Sequence, residues 1–181
     1  MSSSASSSLR SMVYASMFGA MTAIGAFIVI PLQPVPFTLQ TFFTALAGTL
    51  LGGYAGALSQ VVYVLLGSIG LPVFAGGKAG LGVLFGPTGG YLIGFIAGAY
   101  VIGRIMEARK DAGLFYTAMA ILAGDLVIYT VGTVQLSLVA HLPPLKAILV
   151  GVAPFAAAEA IKLLAAAILT VKLKNKLPLR G

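Results

Sequence analysis

The sequence predicts an all-α membrane protein: a single integral membrane domain over residues 1–181, built as a bundle of six transmembrane helices with both termini cytoplasmic. Three observations lead there. Of the 181 residues, 59% are hydrophobic and only 8% are charged, against roughly 25% charged in a soluble domain. A surface so poor in polar groups cannot face water. The apolar residues fall into runs of about membrane-spanning length, separated by proline- and glycine-rich breaks. The basic residues, eleven against four acidic ones, flank those runs unevenly. Composition excludes a soluble enzyme, a disordered chain and a nucleic-acid binder. The absence of cysteine excludes a disulfide scaffold and a thiolate metal site.

The elements follow in order. Residues 1–9 form a serine-rich leader, expected to be disordered. The next apolar run, 12–30, is too long for a signal-peptide core and is read as span one. It stops at Pro31, where the loop Pro31-Leu-Gln-Pro-Val-Pro-Phe37 cannot continue a helix. Span two, 38–52, reaches only ~23 Å and needs either flanking protein or an extension into the Gly52-Gly53 turn. Span three covers 54–70. From Pro72 to Pro87 the chain is apolar yet glycine-rich, and such backbone is tolerated only against protein or around a cavity. Span four, 87–106, opens with Pro87 in its first turn. Span five covers 113–136. Within the connection 137–153, Leu145–Ala153 is read as a short helix and His141 as exposed. Span six starts at Pro154 and runs to Leu173, followed by a basic tail over 174–181.

Sidedness comes from the cations. Arg10, Arg104, Arg109, Lys110, Lys172, Lys174, Lys176 and Arg180 fall on one side, and only Lys78 and Lys146 on the other. The richer side is cytoplasmic. The proline loop, the glycine-rich loop and the 137–153 connection then face outward.

Two stripes of small residues allow close helix approach. Gly86, Gly90, Gly94 and Gly98 recur every four residues in span four, read as packing within the bundle. Ala15, Gly19 and Ala23 do the same in span one, with Ser16 and Ala20 beside them. That first stripe suits either packing inside the bundle or docking another subunit.

An intramembrane charge costs ~2.5–3.5 kcal/mol on insertion scales and so points to function. Glu159 and Lys162 lie three apart on one helix face and can touch. A leucine pair would be cheaper than a buried ion pair kept for stability alone. Together they offer an acceptor and a cationic donor, suited to a polar group carrying N–H and C=O, such as a ureido ring. Asp125 either bonds Tyr129 or a nearby threonine, or lines the same cavity. Lys78 sits in Ala75-Gly-Gly-Lys-Ala-Gly80 and is either a solvated loop lysine or an anion contact. The loop is no phosphate-binding motif, since Pro72 and Ala79 stand where Gly and Ser/Thr are needed. No catalytic set and no metal site is expected from one histidine and four carboxylates.

Four blocks in order, Pro34-Val-Pro-Phe-Thr-Leu-Gln-Thr41, Leu50-Leu-Gly-Gly-Tyr-Ala-Gly-Ala-Leu-Ser-Gln60, Gly70-Leu-Pro-Val-Phe-Ala-Gly-Gly77 and Gly86-Pro-Thr-Gly-Gly-Tyr91, resemble the BioY family. These are the biotin-specific substrate-binding (S) components of energy-coupling-factor (ECF) transporters, and the resemblance spans residues 10–175. It implies a non-enzymatic, multi-pass protein of a prokaryotic cell membrane. It implies capture of biotin from outside, in a pocket closed by outer loops, and delivery inward by toppling of the bundle. The implied partners are a membrane-embedded coupling protein and two cytoplasmic ATPases, which alone use ATP. No cofactor is expected besides the ligand biotin. The family's sixth helix carries an acidic residue and a lysine three apart after Pro-Phe. Here this corresponds to Pro154-Phe155 and Glu159-Ala-Ile-Lys162, with Glu where Asp is usual. The family's small-residue docking motif in the first helix corresponds to Ala15 and Gly19.

With that ligand, the ureido group falls to Glu159, Lys162 and Gln40, with Asp125 a further candidate. The walls are Phe37, Phe74 and Tyr91, whose alternative roles are interfacial anchoring for Phe37 and Tyr91 and loop packing for Phe74. The valerate carboxylate falls to Lys78 with Gly76 and Gly77. An S component for another small vitamin and a carrier working alone are the alternatives within transport; a membrane-embedded enzyme and a structural adaptor are the alternatives outside it.

Overall fold

Nearly every residue of the chain that sits in regular structure is helical. The computed structural model describes residues 2–109 and 111–174. Lys110 and the tail from position 175, including Lys176 and Arg180, lie outside the described residues. The helices are α1 (Ser2–Phe27), α2 (Gln40–Leu51), α3 (Gly53–Ser68), α4 (Leu81–Leu84), α5 (Gly89–Glu107), α6 (Leu114–Val139), α7 (Pro144–Gly151) and α8 (Ala156–Leu173). By length and composition α5, α6 and the α7–α8 segment can each cross a bilayer. Large apolar side chains such as Met17, Leu126, Leu138 and Ile161 point outward, as they do in a helical membrane protein whose surrounding solvent is itself apolar.

Several boundaries differ from expectation; α5 begins at Gly89, so Pro87 lies in the turn before it and not in its first turn. The leader is part of α1, which begins at Ser2; once a helix exists, each added residue gains a hydrogen bond, and serine and alanine oppose this little. The same helix ends at Phe27, short of the expected residue 30. Val29 and Ile30 form strand β1 (Val29–Ile30), paired antiparallel with β2 (Phe37–Thr38). The pairing satisfies backbone groups that the proline loop would leave unbonded in an apolar setting.

The short helix α2 is buried over ten of its twelve residues. Neighbours cover it on every side, the first of the two answers to its short length. At its end Gly52 takes φ +89°, and the α2–α3 turn rests against the end of α5. The Gly53 amide donates to Glu107 Oε1 at 2.7 Å, and Glu107 pairs with Arg104 at 3.0 Å. A side chain on Gly103 would run into the backbone of Gly52 and Gly53.

Gly90, Gly94 and Gly98 of the glycine stripe pack within the bundle, against α6, whereas Gly86 lies in the loop before α5 and faces Gly82 and Val83. A Cβ on Gly94 would stand 2.9 Å from Ile128 Cα, and one on Gly98 would stand 3.0 Å from Gly124 O. The glycine-rich loop between α3 and α5 is also anchored on protein. Gly80 N–H donates to Gly67 O at 2.7 Å, and the Gln135 carboxamide donates to Leu84 O and Gly86 O at 2.7 and 2.8 Å. The helix α7 falls where a short helix was read, and His141 is exposed. Pro154 lies in a 3-10 turn, Ala153–Phe155, so α8 starts two residues later than expected.

The core has two parts. One, around Leu46, Ile102, Met106, Ile121 and Ala166, packs with small and aliphatic residues. The other, around Tyr63, Phe74, Tyr91, Phe95 and Phe155, is aromatic and leaves room between its rings.

Candidate functional site

That room is a pocket of about 650 Å³ including its mouth. Five parts of the chain meet around it. The proline loop brings Val35, Phe37 and Thr38, and the start of α2 brings Gln40 and Thr41. The glycine-rich loop brings Phe74 and Lys78, the helices α5 and α6 bring Tyr91, Phe95 and Tyr129, and the α7–α8 break brings Phe155 and Glu159. The Pro154 turn has a local purpose: it ends the α7 path and lets Phe155 stack on Phe37, centroids 6.1 Å apart.

The charged pair sits at one wall. Glu159 is ion-paired with Lys162, the two side chains 13% and 7% exposed. Thr41 Oγ1 donates to Glu159 Oε2 at 3.0 Å. Lys162 Nζ donates to Thr38 O at 2.8 Å and to Thr41 Oγ1 at 2.6 Å. An ammonium has three N–H donors, and all three of Lys162 are therefore used. Its nitrogen also lies 4.4 Å from the Phe37 ring centroid, a cation–π contact. Lys162 lies behind the wall and holds Glu159 in place; the pocket itself is presented with the carboxylate.

Gln40 is anchored too. Thr38 Oγ1 donates to its Oε1 at 2.8 Å, and its Nε2 donates to the Tyr63 hydroxyl at 2.5 Å. One N–H and one lone pair of the carboxamide remain for a ligand. The wall thus offers a carboxylate acceptor and an amide donor side by side, under an aromatic lining.

Of the residues expected at the site, Glu159, Gln40, Phe37, Phe74, Tyr91 and Lys78 line the pocket. Gly76 and Gly77 do not. Both take positive φ, +72° and +75°, and form the turn that lets Phe74 N–H bond Lys78 O at 3.0 Å. The Gly77 amide is already given to Phe74 O, 2.9 Å away. These glycines shape the loop that carries Lys78. Asp125 lies outside the pocket, in a smaller adjoining cavity with Thr41, Glu159 and Lys162. It is 8% exposed and its Oδ1 has no hydrogen-bond partner, so the expected bond to Tyr129 or a threonine does not reach that atom.

The docking stripe of span one is also corrected. Ala15 and Gly19 are buried, and a Cβ on Gly19 would stand 2.8 Å from Ser59 O of α3. Small residues on α1 serve its own bundle there. Ala23 is half-buried, while Ser16 and Ala20, one position round, are exposed.

Thr41, Tyr129 and Phe155 were not singled out from sequence as pocket residues. Thr41 had a signal: it follows Gln40 at the head of a short, largely apolar helix, where each polar side chain needs a reason.

The chain and its fold are similar to known proteins. The BioY family model matches residues 1–179. The chain is 48% identical to a biotin transporter BioY of Thermotoga maritima, over 92% of this chain and 97% of that protein. It is 38% identical to a probable biotin transporter BioY of Pyrococcus horikoshii, over 88% and 93%. The crystal structure of the S-component for biotin from an ECF-type ABC transporter superposes with a TM-score of 0.86 at 27% identity, covering 97% of this chain and 95% of that one. The chain belongs to the BioY family.

Proposed function

We propose that this chain is the biotin-capturing S component of an ECF-type transporter. The observation that carries this is Glu159: a carboxylate fixed by Lys162 and Thr41, beside Gln40, in the wall of an aromatic pocket. Biotin is a flat apolar bicycle with a polar ureido end and an anionic tail. Its ureido N–H groups suit Glu159, and the ureido oxygen suits the remaining Gln40 N–H. Phe37, Phe74 and Tyr91 supply apolar walls. Lys78 supplies a cation for the carboxylate tail.

The proposed orientation has six transmembrane helices, the pocket facing outward and both termini cytoplasmic, in the cell membrane of a prokaryote. The cations support it. Arg104 lies beside the α2–α3 turn, and Lys174 Nζ donates to Ala112 O at 2.7 Å before α6. They gather at the bundle end away from the proline and glycine-rich loops, and the basic end stays in the cytoplasm. Delivery inward then relies on a membrane-embedded coupling protein and two ATPases, with toppling of the bundle as the movement. Exposed Ser16 and Ala20 on α1 provide a small-residue surface for the coupling helix.

Calorimetric titration of the purified chain with biotin tests the proposal, and absence of saturable binding would overturn it. Co-purification with the ATPases separates a shared-module S component from a solo carrier. In the same titration Lys78→Ala should weaken binding about fivefold at low salt. That loss should shrink as salt rises, since an exposed cation is worth ~1 kcal/mol or less and is screened. A loss independent of salt would place Lys78 elsewhere than at the carboxylate tail.

A further inference from the structure

A chain of hydrogen bonds runs behind the pocket from the charged pair to the glycine-rich loop. Lys162 Nζ donates to Thr38 O at 2.8 Å. The Thr38 hydroxyl donates to Gln40 Oε1 at 2.8 Å, and Gln40 Nε2 donates to the Tyr63 hydroxyl at 2.5 Å. The Tyr63 hydroxyl then donates to Val73 O at 3.1 Å. Every link is made by a different segment from the one before, apart from the Thr38–Gln40 step. Tyr63 itself is fully buried and does not line the pocket.

Tyr63 is also the residue on which the glycine-rich loop is seated. Its ring meets the Phe74 ring edge-on, centroids 5.7 Å apart, and Phe74 fills the space over Gly67 that any side chain there would occupy. One side chain of α3 therefore touches the loop twice, through ring and hydroxyl, and touches Gln40 once. From the Thr38 hydroxyl to Val73 O these hydrogen bonds run in series, and hydrogen bonds in series polarise one another in a dry interior. When a ligand engages the free N–H of Gln40, the carboxamide is held more firmly and so is the hydroxyl it supports.

We propose that Tyr63 is a positioning residue for the ligand: its hydroxyl ties the Gln40 carboxamide to the Val73 carbonyl, so that occupation of the pocket tightens the loop carrying Phe74 and Lys78. This rests on the reading of the pocket as a biotin site. Two loops close one pocket, and Tyr63 makes their closure a single event.

The test is Tyr63→Phe, which keeps the ring on Phe74 and removes only the hydroxyl. Two measurements are needed: biotin association and dissociation rates, and amide hydrogen exchange over Val73–Gly80 with and without biotin. In the ligand-free variant the loop amides should exchange faster than in the wild type. On adding biotin, the wild-type loop should gain protection and the variant loop should gain much less. Dissociation should quicken about tenfold, the worth of one buried hydrogen bond at the upper end of its usual range, with association within twofold. Thr38→Val, which breaks the chain one step earlier and leaves Tyr63 intact, should lower the biotin-dependent protection in the same way. Unchanged dissociation with wild-type loop protection in Tyr63→Phe overturns the proposal. A wild-type chain that binds no biotin overturns the functional reading instead, and the ligand-free exchange still decides whether the Tyr63 hydroxyl holds the loop.

Discussion

Glu159→Ala should reduce biotin affinity about 100-fold, measured by titration of the purified protein. A hydrogen bond to a charged group is worth ~1.5–3 kcal/mol, or roughly 10- to 150-fold, and Glu159 supplies the only carboxylate in the pocket lining among the described residues. The substitution should also lower the melting temperature, because Lys162 keeps its burial and loses its counter-charge. Removing one member of a buried ion pair typically costs ~3–5 kcal/mol. The double variant Glu159→Ala with Lys162→Met separates the two effects. It should recover much of the thermal stability, since no unpaired charge remains, and recover none of the binding. If Glu159→Ala holds biotin within threefold of the wild type, the ureido end lies elsewhere.

Gly103→Ala should be among the most damaging single methyl additions outside the pocket. Its Cβ would overlap the backbone of Gly52 and Gly53. Backbone cannot swing aside as a side chain can, and Gly52 is already confined to a left-handed conformation. Overpacking of this kind costs typically 1–3 kcal/mol and sometimes more. At the upper value the melting temperature should fall by about 10 °C. Gly82→Ala is the matched control, because a Cβ there meets nothing within 4 Å; it should melt within about 2 °C of the wild type. Equal losses in the two variants would show that close approach at Gly103 is not what holds the α2–α3 turn to α5.

The parts of this molecule that were legible in sequence are those where a residue type is scarce. Charge is scarce, so Glu159 and Lys162 stood out, and the structure pairs them. Glycine at four-residue spacing in an apolar helix has few uses, and Gly94 and Gly98 do pack on α6. What could not be read was the allocation of hydrogen bonds between distant segments. Thr41 and Glu159 are 118 positions apart, and nothing local to either says that they bond. The same ignorance made Lys162 look like a ligand contact, when Thr38, Thr41 and Glu159 already take its donors. On α1, periodicity could find the small-residue stripe and could not say which neighbour it faces. Gly19 goes to α3 because that helix returns directly beside α1, a fact of topology that no one-helix pattern contains.

The brevity of α2 bears on how the protein enters the membrane. Twelve helical residues extend about 18 Å, well short of a ~30 Å hydrocarbon core, and they include Gln40, Thr41, Thr44 and Thr49. Such a segment cannot leave the insertion machinery for lipid as an independent unit. It has to depart together with α3, as a hairpin hinged on Gly52–Gly53, with the polar side chains of both helices already facing one another: Gln40 to Tyr63, and Thr44 to Gln60 at 3.2 Å. Gln40 and Thr44 can thus take their α3 partners before α8 has been synthesised, whereas Thr41 gains Glu159 and Lys162 only once α8 arrives.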